Sequence, residues 1–316
     1  MDVAPGEVVR LVGDPSSGVV EAIEVLSGQR VPEAGLLQVE GRDVPGSGRR
    51  ARQLWARVAV LGGPQGTPVG RRTVLESLAD DVRRSETQPV RSVQPGHHER
   101  AVELLDAVGV PLDVRTRRER DVRGEDRARV RLARLLTQQP AVVVLPPGQP
   151  SAGLDPDEDP VSPELVDSVL TRLRADAGSA VVRSSGQLPA TLGDHERVVV
   201  LCGGRIVEVL GSEGLVHPLH PWTQSLAAGG EPIPTRPVVS DPGCPFRGRC
   251  DRAQARCATE MPDLTPPLGA THPVACWFPQ HPPRRGPVPG IEAGAVSPVP
   301  STGHSDEPTA QEFVDC

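Results

Sequence analysis

Val8-Val9-Arg10-Leu11-Val12-Gly13-Asp14-Pro15-Ser16-Ser17-Gly18-Val19-Val20 is the stretch that decides the fold class. A short apolar run of the kind a buried strand shows leads into a loop bounded by two glycines. This is the layout of a phosphate-binding loop, G-x-x-x-x-G-K-[ST], set between a strand and a helix. Both glycines are present. The lysine that would reach the β- and γ-phosphates is Val19, and the hydroxyl that would hold Mg²⁺ is Val20. The backbone N–H groups of Ser16–Val20 can still form an anion nest at a helix N-terminus, although Pro15 removes one donor nearby. The candidate nucleotide-binding residues are therefore Gly13, Ser16, Ser17, Gly18, Val19 and Val20, with ATP bound weakly or not at all.

No lysine elsewhere can substitute, because all 34 cationic residues of this 316-residue chain are arginines. Asparagine and tyrosine are absent too. All three have AT-rich codons, so a GC-rich genome accounts for the bias. Such a genome would still keep a lysine that catalysis required. The net charge of −7 speaks against a nucleic-acid partner held by bulk electrostatics. No apolar run approaches the roughly 18 residues needed to span a bilayer. Met1–Glu7 lacks the basic and apolar regions of a signal peptide, so the chain reads as cytosolic. In that compartment its six cysteines are metal ligands or thiols rather than disulfides.

Residues 1–215 alternate β-branched runs with amphipathic stretches. Val8–Val12, Val58–Leu61, Ala141–Leu145 and Ala180–Val182 read as buried parallel strands. Glu99–Val108 reads as a helix stopped by Gly109. Ser162-Pro163 starts another, with Leu165, Val166, Val169, Leu170 and Leu173 as its buried stripe. Val198–Cys202, Gly203-Gly204 and Arg205–Val209 form a hairpin with a glycine turn. Alternating strands and helices predict an α/β core with a parallel sheet. Residues 45–100, rich in turns and charges, suit an inserted subdomain. Residues 216–279 are proline-rich, carry four cysteines and need a staple to fold. Residues 280–316 read as a disordered tail.

The order of these features resembles the ATP-binding-cassette nucleotide-binding subunits of oligopeptide and dipeptide importers, from Met1 to about Phe278. The resemblance is carried by Val3–Gly13, Gly41-Arg42-Asp43, Arg71-Arg72-Thr73-Val74 and Arg129–Leu136. Ser151-Ala152-Gly153-Leu154-Asp155 resembles the D-loop. Gly204–Glu208 and His220-Pro221-Trp222-Thr223 are near-matches to late motifs. Cys244-Pro245-Phe246-Arg247-Gly248-Arg249-Cys250, with His272-Pro273-Val274-Ala275-Cys276-Trp277, is the most family-specific part. The resemblance implies a P-loop NTPase core over 1–215, a helical subdomain at about 65–125, and a Cys-rich extension over 216–279. The family's first strands and its adenine-stacking aromatic have no counterpart here.

Departures fall where the chemistry would be. The Mg²⁺-sensing glutamine would be Gly62. The signature motif becomes Val122-Arg123-Gly124-Glu125-Asp126. The Walker B aspartate and catalytic glutamate would fall at Gly148-Gln149, or at Pro146-Pro147 by the other count. The switch histidine would be Gly186. Phosphoryl transfer rests on positioning and charge neutralisation, and each charged hydrogen bond lost costs about 1.5–3 kcal/mol. The chain alone is thus expected to be a silent cassette with no catalytic residue. It would pair with an active second cassette as a heterodimer, dock on transmembrane permease subunits, and lie peripherally on the inner face of the membrane. The alternative is a soluble metal-cluster regulator, or a decaying remnant, with no transport role.

Cys244, Cys250, Cys257 and Cys276 are spaced x5, x6 and x18. Zinc ribbons favour tighter pairs, whereas four irregularly spaced thiolates on a loop-rich segment suit a [4Fe–4S] cluster. The resemblance implies the same cluster. Zinc is the alternative, with His272 as a possible fourth ligand whose default role is structural. Cys202 belongs to the hairpin core and Cys316 to the tail. Arg127, Arg129, Arg131 and Arg134 read as a solvated helix face.

Overall fold

Why Val8–Val12 becomes a strand is visible in its burial. Four of the five side chains are buried, and the exception, Arg10, pairs with Glu196. The chain is described here from a computed structural model, covering residues 1–61, 71–86, 90–146, 161–229 and 242–280. All of them fall in one compact unit, Met1–Pro282.

In chain order the elements are β1 (Val8–Val12), α1 (Val19–Leu26), β2 (Gln38–Val39), β3 (Arg42–Asp43), α2 (Arg49–Trp55), β4 (Val58–Val60), α3 (Val74–Ser85), α4 (Pro95–Ala107), α5 (Leu112–Arg115), α6 (Gly124–Gln138) and β5 (Val142–Leu145). They continue with α7 (Pro163–Ala177), β6 (Ala180–Ser185), β7 (Glu196–Cys202), β8 (Arg205–Leu210), α8 (Ser212–Val216), α9 (Pro221–Ala227) and α10 (Ala255–Thr259). The main sheet has the order β4-β5-β6-β1-β7-β8, parallel except for the β7–β8 hairpin. This is the α/β core expected from the sequence.

The helices start where local chemistry lets them. Ser162 caps α7, its hydroxyl accepting from Leu165 N at 3.2 Å, and Gly178 ends it at φ 64°. Thr73 and Glu76 form a reciprocal capping box at the start of α3. Helix α4 begins at Pro95, four residues before the start expected from periodicity, because Pro suits a first turn. Gly203 and Gly204, at φ 54° and 80°, make the hairpin turn with the two positive φ angles it requires.

Three apolar clusters hold these parts together. One packs α3, α4, α6 and α7 on one face of the sheet. A second packs α1 on the opposite face through Val19 and Ile23. The third joins Val12, Val198, Val200 and Val207 to Trp222 and Phe246, whose rings lie 5.5 Å apart. Residues 273–275 then run antiparallel along β8. Val209 N donates to Pro273 O at 3.1 Å, and Ala275 N donates to Val207 O at 2.8 Å. The Cys-bearing segment is thereby built onto the sheet's last strand. Of the expected tail only Gln280 is described, and its N–H donates to Leu219 O.

Candidate functional site

In a parallel α/β sheet, ligands bind beyond the carboxyl ends of the strands. Here Gly13 follows β1, Pro146 follows β5 and Gly186 follows β6, and these three strands are neighbours. Gly13 N donates to Ser185 O at 3.2 Å, fixing the loop beside the β6 end. Three positions that the sequence assigned to phosphate, metal and switch functions thus share one edge. None of the three bears a side chain able to ionise. Gly62, Pro147, Gly148, Gln149 and the D-loop residues 151–155 lie outside the described residues.

The loop has an acidic occupant of its own. Asp14 is buried, and its Oδ1 accepts the Ser16 backbone N–H at 2.7 Å and the Ser16 hydroxyl at 2.6 Å. The Ser17 hydroxyl donates to Asp14 O at 2.6 Å. One backbone donor of the nest is therefore engaged by a carboxylate from within the loop. Val19 is buried against the sheet. Gly18, at φ 93°, begins α1, and a Cβ there would lie 2.9 Å from Gly204 Cα. Gly204 N donates to Ser17 O at 2.8 Å, so the hairpin turn braces the loop.

The altered signature stretch opens α6. Arg123 donates to Arg120 O and Val122 O, and Glu125 accepts from Arg129 Nε at 3.0 Å. The expectation of a solvated arginine face fails for three of its four residues. Arg131 is buried. Arg129 reaches Val108 O and Gly109 O at 3.0 and 2.9 Å. Arg134 reaches Asp81, Ser77 and Glu119. The reason is packing: α6 lies against α3 and α4, and the carboxylates facing it come from elements distant in sequence.

Cys244, Cys250, Cys257 and Cys276 all line one pocket, together with His220, Phe246 and Trp277. Its free space is about 20 Å³, roughly the room for a single water-sized guest. Among the described residues, no three His, Cys, Asp or Glu side chains stand in a ready-made metal-holding group. The four expected ligands thus line one pocket without forming an assembled metal-holding group among the described residues. Burial pushes the Cys276 thiol up to about 11. Burial, with the neighbouring cysteines adding to it, also raises Cys244. Protonated thiols do not draw together as four thiolates around a cation would. The donor set is still all-sulfur, which fits a thiophilic metal.

His272 does not line this pocket. Its Nε2 lies 2.8 Å from Glu208 Oε1, and its role is structural. Two residues that the sequence reading placed in motifs without assigning them a role do matter. Glu208, fully buried on β8, also accepts Leu219 N at 2.6 Å and His220 N at 3.1 Å. His220 caps α9, its Nδ1 accepting Trp222 N at 3.1 Å. Burial lowers His220 to about 4 despite the nearby Glu208 charge, so the ring is neutral. The available signal was His220-Pro221, a helix start, directly before a buried Trp.

No protein-family profile matches the chain. It is 29% identical over 292 residues to a protein named "Probable peptide ABC transporter ATP-binding protein" from Sinorhizobium fredii, covering 87% of this chain and 79% of that protein. It is 30% identical over 283 residues to a "Putative peptide import ATP-binding protein" of Brucella ovis, covering 83% and 85%. A solved cassette structure from Clostridium perfringens, part of an ABC transporter complex, aligns with a TM-score of 0.49 at 16% identity, covering 68% of this chain and 81% of that one. At the identity and coverage shared with the Brucella protein, the chain belongs to the family of peptide ABC transporter ATP-binding proteins.

Proposed function

We propose that this chain is a nucleotide-binding-type subunit of a peptide importer that is silent in catalysis and works beside an intact cassette. The observation that carries this is the phosphate loop. Val19 and Val20 stand where a cation and a hydroxyl are needed, and the Asp14 carboxylate engages the Ser16 N–H. In such a pair, the partner cassette supplies its own phosphate loop, Mg²⁺ ligands and water-activating carboxylate. This chain contributes its signature face at Arg123–Asp126 and its D-loop Asp155. Among the described residues no helix is long and apolar enough to cross a membrane. Membrane attachment therefore comes through permease subunits, which the helical region α3–α6 would contact. The buried, well-bonded core supports a working component over a decaying remnant.

Within the same reading, Cys244, Cys250, Cys257 and Cys276 hold a [4Fe–4S] cluster, with zinc as the alternative. When bound, the group would cross-link four points of a segment poor in regular structure. Two experiments test the proposal. The first is membrane fractionation with and without a co-expressed cognate permease. Sedimentation only with the permease supports it, and cytosolic behaviour beside abundant permease favours a soluble regulator. The second is iron, sulfide and zinc analysis of anaerobically purified protein, with single Cys→Ser variants of the four cysteines. Unchanged metal content in all four variants overturns the metal site.

A further inference from the structure

We infer that His220 is the hydrogen-bond donor that holds the Cys244 sulfur in the cysteine pocket, acting as a positioning residue and not as a ligand. This rests on the metal-site reading above for its purpose, but not for its geometry.

The inference follows from the two ring nitrogens. Nδ1 accepts the Trp222 backbone N–H at 3.1 Å. A neutral imidazole that accepts at Nδ1 must carry its proton at Nε2. Nε2 faces Cys244 Sγ at 3.9 Å, at the long end for a contact to sulfur, and the ring lines the pocket with all four cysteines. An Nε2 that carries a proton has no lone pair to give a metal. For it to ligate, the proton would have to move to Nδ1 and oppose the Trp222 N–H. That N–H is buried at the start of α9 and would lose its only acceptor from the ring. The tautomer is therefore fixed by the helix cap, and the cap aims a donor at sulfur.

The placement is backed from behind. Glu208 accepts the His220 backbone N–H at 3.1 Å and the Leu219 N–H at 2.6 Å, so the main chain that carries the ring is tied to β8. Cys276 follows the residues that pair with the same strand. Cys244 N in turn donates to Cys257 O at 2.8 Å. The ring and Cys276 are thus referenced to one strand edge, and Cys244 and Cys257 to each other. N–H donors to sulfur stabilise the thiolate and raise the potential of an iron–sulfur group.

Two variants separate the two nitrogens. His220→Asn keeps an acceptor near Nδ1 for the cap and removes the donor. His220→Gln sacrifices the cap but brings an amide N–H toward Cys244. The full-length protein is used, metal-free and after anaerobic loading. ¹⁵N spectra of the histidines should place the His220 proton on Nε2 in both states, and a proton on Nδ1 overturns the inference. In the metal-free protein, His220→Asn should change the alkylation rate of Cys244 several-fold relative to Cys250, with His220→Gln nearer wild type. Equal rates in all three proteins overturn it. In the loaded protein, His220→Asn should retain the metal but release it to a chelator several-fold faster. Loss of metal as complete as in Cys244→Ser would make His220 a ligand and overturn the donor assignment. Failure of the wild type to bind any metal would overturn the metal-site reading alone, since the spectra and alkylation rates still decide the hydrogen bond.

Discussion

The Asp14 carboxylate accepts both the backbone N–H and the hydroxyl of Ser16, at 2.7 and 2.6 Å, inside the loop that should embrace phosphate. A triphosphate placed there would meet a buried carboxyl group where the motif calls for a lysine. Purified chain is accordingly expected to show no ATP hydrolysis, and Val19→Lys alone should not restore it. Steady-state phosphate release at even about 0.1 s⁻¹, well under the usual enzyme range, would contradict this.

Glu208→Ala should be strongly destabilising. It removes the acceptor of Leu219 N, His220 N and His272 Nε2 at once. Orphaning buried donors costs about 1–3 kcal/mol each, so urea unfolding should show a loss of roughly 3–5 kcal/mol. Glu208→Gln, which keeps an acceptor oxygen, should lose less. A loss under about 1 kcal/mol for the alanine variant would remove Glu208 from its place as anchor.

Asp80 sets an acid limit on the helical region. Burial pushes its carboxyl up, but hydrogen bonds from Arg83 and Arg72 and the Arg84 charge outweigh this and hold it below the usual range. A lowered folded-state value means stability that is complete above the unfolded value of about 3.9 and is lost as pH falls through the folded one. Wild type should therefore be more stable than Asp80→Asn at pH 7, and the gap should close below about pH 4. A gap that is constant between pH 7 and pH 2.5 would refute the assignment; thermal melts across that range measure it.

Gly243 lies against the Cys257–Ala258 backbone. An added Cβ would sit 2.5 Å from Cys257 O and 2.6 Å from Ala258 O. Gly243→Ala should thus displace α10, which carries Cys257 into the pocket, and expose its buried thiol. Alkylation of Cys257, followed by mass spectrometry, should accelerate at least several-fold. An unchanged rate would mean that the backbone yields without opening the pocket.

Much of this architecture was legible because it is local. The Val8–Val12 run, the Ser162-Pro163 start and the Gly203-Gly204 turn each carry their signal within a few residues, and each appears where expected. The burial of Arg131 and the role of Arg134 were not legible, since the partners of Arg134 are Ser77 and Asp81 on α3 and Glu119, and no helical period reports them. The cysteine spacing named four residues that do line one pocket. It could not reveal His220, whose relation to Cys244 arises from tertiary packing. Nor could the loop pattern reveal that the Asp14 carboxylate turns inward.

The pairing of residues 273–275 with β8 also sets an order of events in synthesis. The hairpin is complete once Leu210 has been made, yet its outer edge stays bare until the chain has grown past Ala275. An uncovered strand edge is a template for other chains, and contacts between distant segments form late. Nascent chains that stall between these points carry an adhesive β8, and the cysteine-bearing segment is what retires it.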